Sequence, residues 1–79
     1  MAKHDPKIAE DVALVLPNCG TISEQEFLAA LNPVIVGVEK DDTYSTKAKL
    51  KIFSLLTMAC NVEPKERKKY MKKVAKAVK

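Results

Sequence analysis

Four helix-start signals divide this chain into short segments, and they constrain its fold more than any other feature. Asp5 precedes Pro6, and an aspartate cap followed by proline suits the first turn of a helix. Ser23 precedes Glu26 by three residues, which is the spacing of a capping box. Ser45 and Pro64 mark two further starts. The signals predict an all-α fold, a small compact bundle of about four helices, over residues 6–16, 23–32, 45–61 and 64–78.

The length and composition are those of one small folded unit. The chain has 79 residues, of which 47% are apolar and 30% charged, and this balance excludes the disordered and low-complexity classes. We therefore expect a single domain over residues 1–79 that ends in a lysine-rich amphipathic helix. No apolar run is long enough for a membrane span, and the first residues lack the apolar core of a signal peptide. An intracellular, cytoplasmic location is expected.

The middle of the chain, residues 34–52, admits two interpretations. Asn32-Pro33 predicts an end to the second helix, because the residue before a proline is pushed out of the helical region. The β-branched run after it and the alternation over residues 47–52 fit an α+β fold with a β-hairpin at 34–52. A long helix from Ser45 is favoured, because an isolated two-stranded hairpin is only marginally stable.

Helical spacing also predicts which side chains form the core. The apolar residues that recur on one face of each segment are Ile8, Val12, Leu16, Phe27, Leu28, Leu31, Ile52, Phe53, Leu56 and Val74. Residues 52–60 are apolar nearly all round, so this segment is expected at the centre. On that interpretation Phe53→Ala removes about 3–5 kcal/mol of stability.

Charge is divided very unevenly along the chain. Residues 1–63 carry six lysines against nine carboxylates, a balance of −3, whereas residues 64–79 carry seven lysines and Arg67 against Glu66, a balance of +7. On a helical wheel the lysines lie opposite the apolar residues, and Arg67 falls inside the apolar sector, where its first-turn position allows it to point outward. The predicted nucleic-acid or anion-binding residues are Lys65, Lys68, Lys69, Lys72, Lys73, Lys76 and Lys79.

This pattern predicts a small non-enzymatic accessory protein that binds nucleic acid non-specifically through its basic C-terminal helix. Lysine clusters contact phosphates without reading sequence, and few aromatic residues are present to stack on bases. A lysine face that only keeps the protein in solution, or that pairs with the chain's own carboxylates, produces the same pattern. Free lysines would favour the phosphate binder, and paired lysines the internal role.

A protein-interaction regulator or adaptor is the alternative function. The apolar side of the last helix offers a possible partner face of Tyr70, Met71, Val74 and Val78. That face would fit a groove on another protein or a second copy of the chain, giving a homodimer. The lysines would then meet an acidic protein surface.

Residues 20–27 resemble the second half of an EF-hand loop and the start of its exiting helix. Gly20, Ile22 and Glu26 stand where that family has its turn glycine, its pairing isoleucine and its closing glutamate. The first half departs from the pattern, because Val15, Pro17 and Cys19 offer no side-chain oxygen at the earlier ligand positions. The resemblance therefore implies a degenerate, calcium-independent helix pair that packs against a partner.

The residues that usually carry catalysis or bind metals are scarce. His4 is the sole histidine, and Cys19 and Cys60 are 41 positions apart with no metal-binding spacing. Two reduced thiols are predicted, because nothing in the sequence indicates secretion. The sequence predicts no enzyme, no metal and no cofactor.

Overall fold

The structure, a computed structural model, describes residues 5–78. It contains four helices: α1 (Pro6–Val15), α2 (Glu24–Lys40), α3 (Thr46–Asn61) and α4 (Pro64–Ala77). No strand occurs within these residues. The all-α prediction is confirmed, and the alternative with a β-hairpin at 34–52 is wrong. Helices that follow one another in the chain pack together, and contacts between α1 and α4 close the ring.

The predicted caps account for where three of the helices begin. The Asp5 carboxylate accepts a hydrogen bond from the Lys7 backbone N–H at 2.9 Å. Ser23 and Ser45 each accept one from the backbone N–H three residues later, at 3.1 Å. Each bond satisfies a donor that the first turn of a helix otherwise leaves open. Pro64 opens α4 as predicted, although its N-cap residue makes no side-chain capping bond.

The second helix does not stop at Asn32-Pro33, as the sequence predicted, but continues to Lys40 with Pro33 inside it. A proline inside a helix removes one backbone hydrogen bond and costs about 3 kcal/mol. The residues beyond it offset that cost, because Val34 and Val38 are fully buried in line with Leu31. Burying a valine side chain contributes roughly 1.5–3 kcal/mol. The Pro33 ring lies on the exposed side of α2.

The core contains most of the side chains that helical spacing selects. Ile8, Val12, Phe27, Leu31, Ile52, Leu56 and Val74 are buried as predicted. Leu28 is 48% exposed, because only one side of α2 faces its neighbours, and Leu16 and Phe53 are half-buried at the margin of the core. The buried apolar residues that the prediction omitted are Val15, Cys19, Val34, Val38, Tyr44, Ala59, Met71 and Val78.

Arg67 is the one charged side chain buried within residues 5–78, and it does not point outward. One guanidinium nitrogen, Nη1, donates to the backbone carbonyls of Cys19 at 3.2 Å and Ile22 at 2.9 Å. Its Cζ lies 4.6 Å from the centroid of the Phe27 ring. Its Nε has no hydrogen-bond partner among the residues described. Arg67 thereby fastens α4 to the loop between α1 and α2.

Both glycines lie where the backbone or a side chain of another segment comes close. A Cβ atom on Gly20 would lie 3.1 Å from the Pro64 carbonyl oxygen, and one on Gly37 would lie 2.9 Å from a side-chain carbon of Ile8. Neither glycine has a positive φ. Gly20 allows α4 to approach closely, and Gly37 allows α1 to do so; neither is needed for an unusual backbone turn.

Candidate nucleic-acid interface

The lysines of α4 lie on the surface because the opposite side of the helix is in the core. Arg67, Met71, Val74 and Val78 recur at helical spacing and are buried against the rest of the molecule. The exposed lysines on the other side are Lys65, Lys68, Lys69, Lys72, Lys73 and Lys76. Lys79, the seventh predicted contact, lies outside the described residues. We call the six exposed residues the α4 lysine surface.

Among residues 5–78, almost none of these lysines has a carboxylate partner. Lys65 and Glu63 form an ion pair of 3.4 Å between side chains that are 79% and 73% exposed, and it is the one such pair within residues 5–78. An exposed pair of this kind contributes about 0–1 kcal/mol. The other five ammonium groups have no carboxylate within 4.0 Å in the same part of the chain. The α4 lysine surface therefore presents open positive charge.

Tyr70 lies between two of the surface lysines. The Nζ atoms of Lys69 and Lys73 are 5.9 Å and 5.6 Å from the centroid of its half-buried ring. Cation–π attraction at such distances from an exposed ammonium is weak, about 0.5–1 kcal/mol. It nevertheless leaves both charges beside an aromatic ring.

The predicted partner face is not a surface in this structure. Met71, Val74 and Val78 are exposed by no more than 1%, and Tyr70 is half-buried. A single amphipathic helix has the same pattern whether its apolar stripe covers the protein's own core or binds a partner. Here α3 and α1 cover the stripe.

A second group of lysines, which the sequence analysis did not select, comes from α3. Lys51 and Leu55 of α3 line an open groove together with Lys73, Lys76 and Ala77 of α4. The sequence predicts a helix over 45–61, but it does not show that this helix packs beside α4 and so brings Lys51 to the lysines there. Lys49 has a different contact, because its Nζ donates to the Glu39 backbone carbonyl at 2.9 Å.

With α3 included, the boundary between negative and positive charge falls between two helix pairs. Residues 5–45, which contain α1 and α2, carry two lysines against eight carboxylates, a balance of −6. Residues 46–78, which contain α3 and α4, carry nine lysines and Arg67 against two carboxylates, a balance of +8. We call these the acidic helix pair and the basic helix pair. No ion pair within 4.0 Å joins them among the residues described.

The residues that resemble an EF-hand loop make other contacts. The Glu26 carboxylate accepts a hydrogen bond from the Ser23 hydroxyl at 3.3 Å. Gly20 lacks the positive φ of a sharp glycine turn and instead accommodates Pro64. In residues 5–78, no group of three or more His, Cys, Asp or Glu side chains is arranged to hold a metal ion. His4 lies outside that range.

The two cysteines are free thiols, as predicted. Cys19 is buried, and its Sγ donates to the Leu16 carbonyl at 3.2 Å. Burial raises the pKa of the Cys19 thiol and of the half-buried Cys60 thiol, and the positive charge of Arg67 opposes the rise in both. A raised pKa keeps a thiol protonated and unreactive near neutral pH.

Among the helices of residues 5–78, none has the length and apolar character needed to cross a bilayer. Comparison with known proteins finds no match: no family model, no curated protein and no solved structure is similar to this chain.

Proposed function

We propose that this chain is a small non-enzymatic accessory protein that binds nucleic acid non-specifically through the α4 lysine surface. The observation that carries the proposal is the state of its lysines, five of which are exposed without a carboxylate within 4.0 Å in the described part of the chain. An internal role for these charges would pair them with the acidic residues of the same molecule. The open lysines favour an external anion instead.

Phosphate binding by such a surface is driven by the release of counterions from the nucleic acid. Each phosphate that a lysine neutralises contributes about −0.9 to the slope of log affinity against log salt for duplex DNA. Five contacts give a slope of about −4.5 on that basis. Lysine is a compact point charge on a flexible stem, so such contacts carry no base preference.

The acidic helix pair supports a defined orientation on the ligand. Its balance of −6 repels phosphates, while the balance of +8 on the basic helix pair attracts them. A polyanion is therefore expected to approach α3 and α4 and to leave α1 and α2 facing away. The same division steers the encounter at low salt, where screening is weakest.

The experiment is a filter-binding titration of a duplex at two salt concentrations. The variant replaces Lys68, Lys69, Lys72 and Lys76 with glutamine, which keeps a polar side chain, one atom shorter, and removes the charge. We expect uniformly weaker binding across sequences and a slope flattened by roughly one unit per lost contact. Circular dichroism and the melting curve should be almost unchanged, because exposed charges contribute little to stability.

A matched control neutralises exposed lysines of the acidic helix pair. Lys7→Gln with Lys40→Gln also removes surface charge, but at the side that is expected to face away. Its affinity and salt slope should stay near those of the unmodified protein. The proposal fails if the unmodified protein retains no nucleic acid at low salt, or if the control weakens binding as much per lysine as the α4 variant does.

A second candidate function is protein binding by an adaptor or regulator. The observation that favours it is an apolar groove between α2 and α3, lined by Ile35, Phe53, Leu56, Thr57 and Cys60. Ile35 is 37% exposed there. A partner that binds this groove would present apolar side chains. A pull-down from which Ile35→Asp loses a partner, while nucleic-acid binding is absent, would favour this function.

A further inference from the structure

The groove between α3 and α4 combines positive charge with an apolar floor. Lys51 of α3 and Lys73 and Lys76 of α4 stand around Leu55 and Ala77, and the open cavity measures about 410 Å³. All three lysines are exposed, whereas Leu55 and Ala77 are half-buried. The groove is therefore built from two helices, and two of its five lining residues lie outside the C-terminal helix.

Within the described part of the chain, the three lysines have no carboxylate partner within 4.0 Å. Like charges gathered around one groove repel one another, and an anion bound among them removes that repulsion. A phosphodiester group has the charge that the groove lacks, and its oxygens can accept hydrogen bonds from more than one ammonium group.

The apolar floor distinguishes between two forms of nucleic acid. In a duplex the faces of the bases are stacked on one another, so a protein meets phosphates, sugars and base edges. In a single strand an unstacked base has an exposed apolar face that can lie on protein side chains. Leu55 and Ala77 supply such a surface directly beside the lysines. Binding of phosphate alone would not require this apolar surface.

Tyr70 does not line the groove, but its aromatic ring lies near one of the groove's lysines. Lys73 lines the groove, and its Nζ is also 5.6 Å from the centroid of the Tyr70 ring. A strand whose phosphate contacts Lys73 would therefore pass close to Tyr70. Aromatic rings next to a basic groove are the usual stacking sites for single strands.

We infer that the α3–α4 groove is a subsite for single-stranded nucleic acid, in which Lys51, Lys73 and Lys76 hold a phosphodiester and Leu55 and Ala77 contact its base. This inference rests on the proposed function and adds to it the form of the ligand and a contact from α3. It predicts that the protein binds a single strand more tightly than a duplex of the same length.

The test measures fluorescence anisotropy with oligothymidylate of about 15 nucleotides and with a duplex of that length. Lys51→Gln should lower the affinity for the single strand about threefold and flatten its salt slope by about 0.7. The control is Lys47→Gln, which removes the same charge one turn earlier on α3 and outside the groove lining. It should change the affinity by less than half as much.

The apolar floor is tested by Leu55→Asn, which keeps the branched shape of the side chain and makes it polar. The preference for the single strand should shrink while the salt slope stays the same, because no charge is lost. Circular dichroism and a melting curve establish that this variant folds. Should it fail to fold, Ala77→Gln fills the same floor from α4 and should reduce the preference in the same way.

The two proposals fail in different ways. Equal affinity of the unmodified protein for single strand and duplex, or a Lys51→Gln variant with unchanged binding, overturns the inference and leaves the proposed function standing. No binding to either oligonucleotide at low salt overturns both. Binding to vesicles that contain phosphatidylserine, with no binding to oligonucleotides, also overturns both and identifies the anion as a lipid headgroup.

Discussion

The acidic and basic helix pairs differ in charge by a wide margin, yet their charges do little to hold them together. The acidic helix pair has a balance of −6 and the basic helix pair one of +8, but within residues 5–78 no ion pair closer than 4.0 Å connects them. They are joined by buried apolar side chains and a few hydrogen bonds instead. The charge difference between the pairs thus contributes little to their cohesion.

Four of the side-chain hydrogen bonds between the pairs reach a backbone carbonyl, and Arg67 donates two of them. Arg67 donates to the loop after α1, Lys49 donates to Glu39, and the Tyr44 hydroxyl donates to the Val78 carbonyl at 2.5 Å. The Asp41 carboxylate joins the two ends of the acidic helix pair, because its Oδ2 accepts from the Asp5 backbone N–H at 2.9 Å. Each of these bonds fixes a loop or a helix end, where backbone groups lack helical partners.

The largest expected effect comes from replacing phenylalanine, of which each helix pair has one. Phe27 of the acidic helix pair is fully buried, whereas Phe53 of the basic helix pair is half-buried at the margin of a groove. Phe27→Ala should therefore cost about 3–5 kcal/mol of unfolding free energy, and Phe53→Ala clearly less. Urea denaturation of both variants measures the difference. If Phe53→Ala were the more damaging, the core would be centred near Phe53, where α3 faces α2, and not near Phe27.

The next effect concerns Arg67, which links the pairs from α4. Arg67→Ala leaves the Cys19 and Ile22 carbonyls without their donor and opens space against Phe27, so we expect a loss of about 3 kcal/mol. Arg67→Met fills the space but does not restore the hydrogen bonds, so it should lose less stability than Arg67→Ala. Denaturation curves separate the two contributions. Equal losses would assign the whole effect to the hydrogen bonds.

Tyr44 links the pairs at the opposite end of α4, with a smaller expected effect. Tyr44→Phe removes one buried hydrogen bond and should cost about 1 kcal/mol. Thermal denaturation near neutral pH checks this value. Because the bond holds the Val78 carbonyl, hydrogen exchange in the last turn of α4 should accelerate more than exchange in α2. Equal acceleration throughout the molecule would contradict a local link.

The burial of Tyr44 also predicts that the stability of the fold decreases at alkaline pH. Burial, with the nearby charges of Asp41 and Asp5, raises the pKa of Tyr44 from 10.0 to about 12. The folded state then binds the phenolic proton more tightly than the unfolded state, so this contribution to stability is complete below pH 10 and is lost as the pH rises toward 12. A tyrosinate absorbance titration should show a late step, and Tyr44→Phe should remove it.

The smallest expected effect tests whether attraction between the oppositely charged helix pairs stabilises the fold. Glu10→Gln with Asp11→Asn removes two negative charges from α1, and neither residue is part of an ion pair within the described chain. Stability should change by less than about 0.5 kcal/mol. Urea denaturation at low and high salt measures it. A larger loss that disappears at high salt would show that the two pairs attract each other after all.

Local signals predicted the helix starts well, because a cap and its first turn involve only neighbouring residues. Asp5, Ser23 and Ser45 each cap the helix that they were expected to cap. The continuation of α2 through Pro33 was not predictable in this way, since the compensation comes from Val34 and Val38 packing against distant parts of the chain. Tertiary contacts outweighed a local preference there.

The candidate site was predictable only in part, for a related reason. Helical spacing placed the lysines of α4 on one side, and the structure leaves those within residues 5–78 exposed. It did not distinguish a core-facing stripe from a partner-facing one, so Met71 and Val74 were assigned to a surface that they do not form. Lys51 could not be found from α4 alone, because its place beside Lys73 and Lys76 depends on how two helices pack.

If the chain binds nucleic acid as proposed, the burial of Arg67 has a consequence for how it would move along the strand. Arg67 is the only arginine in the chain, so every exposed cation of residues 5–78 is a lysine. A guanidinium fork holds one phosphate in a fixed geometry, but an ammonium group on a flexible stem can pass from one phosphate to the next. Neighbouring positions on a strand then differ little in free energy. A protein bound in this way would slide and hop along nucleic acid rather than dwell at one place.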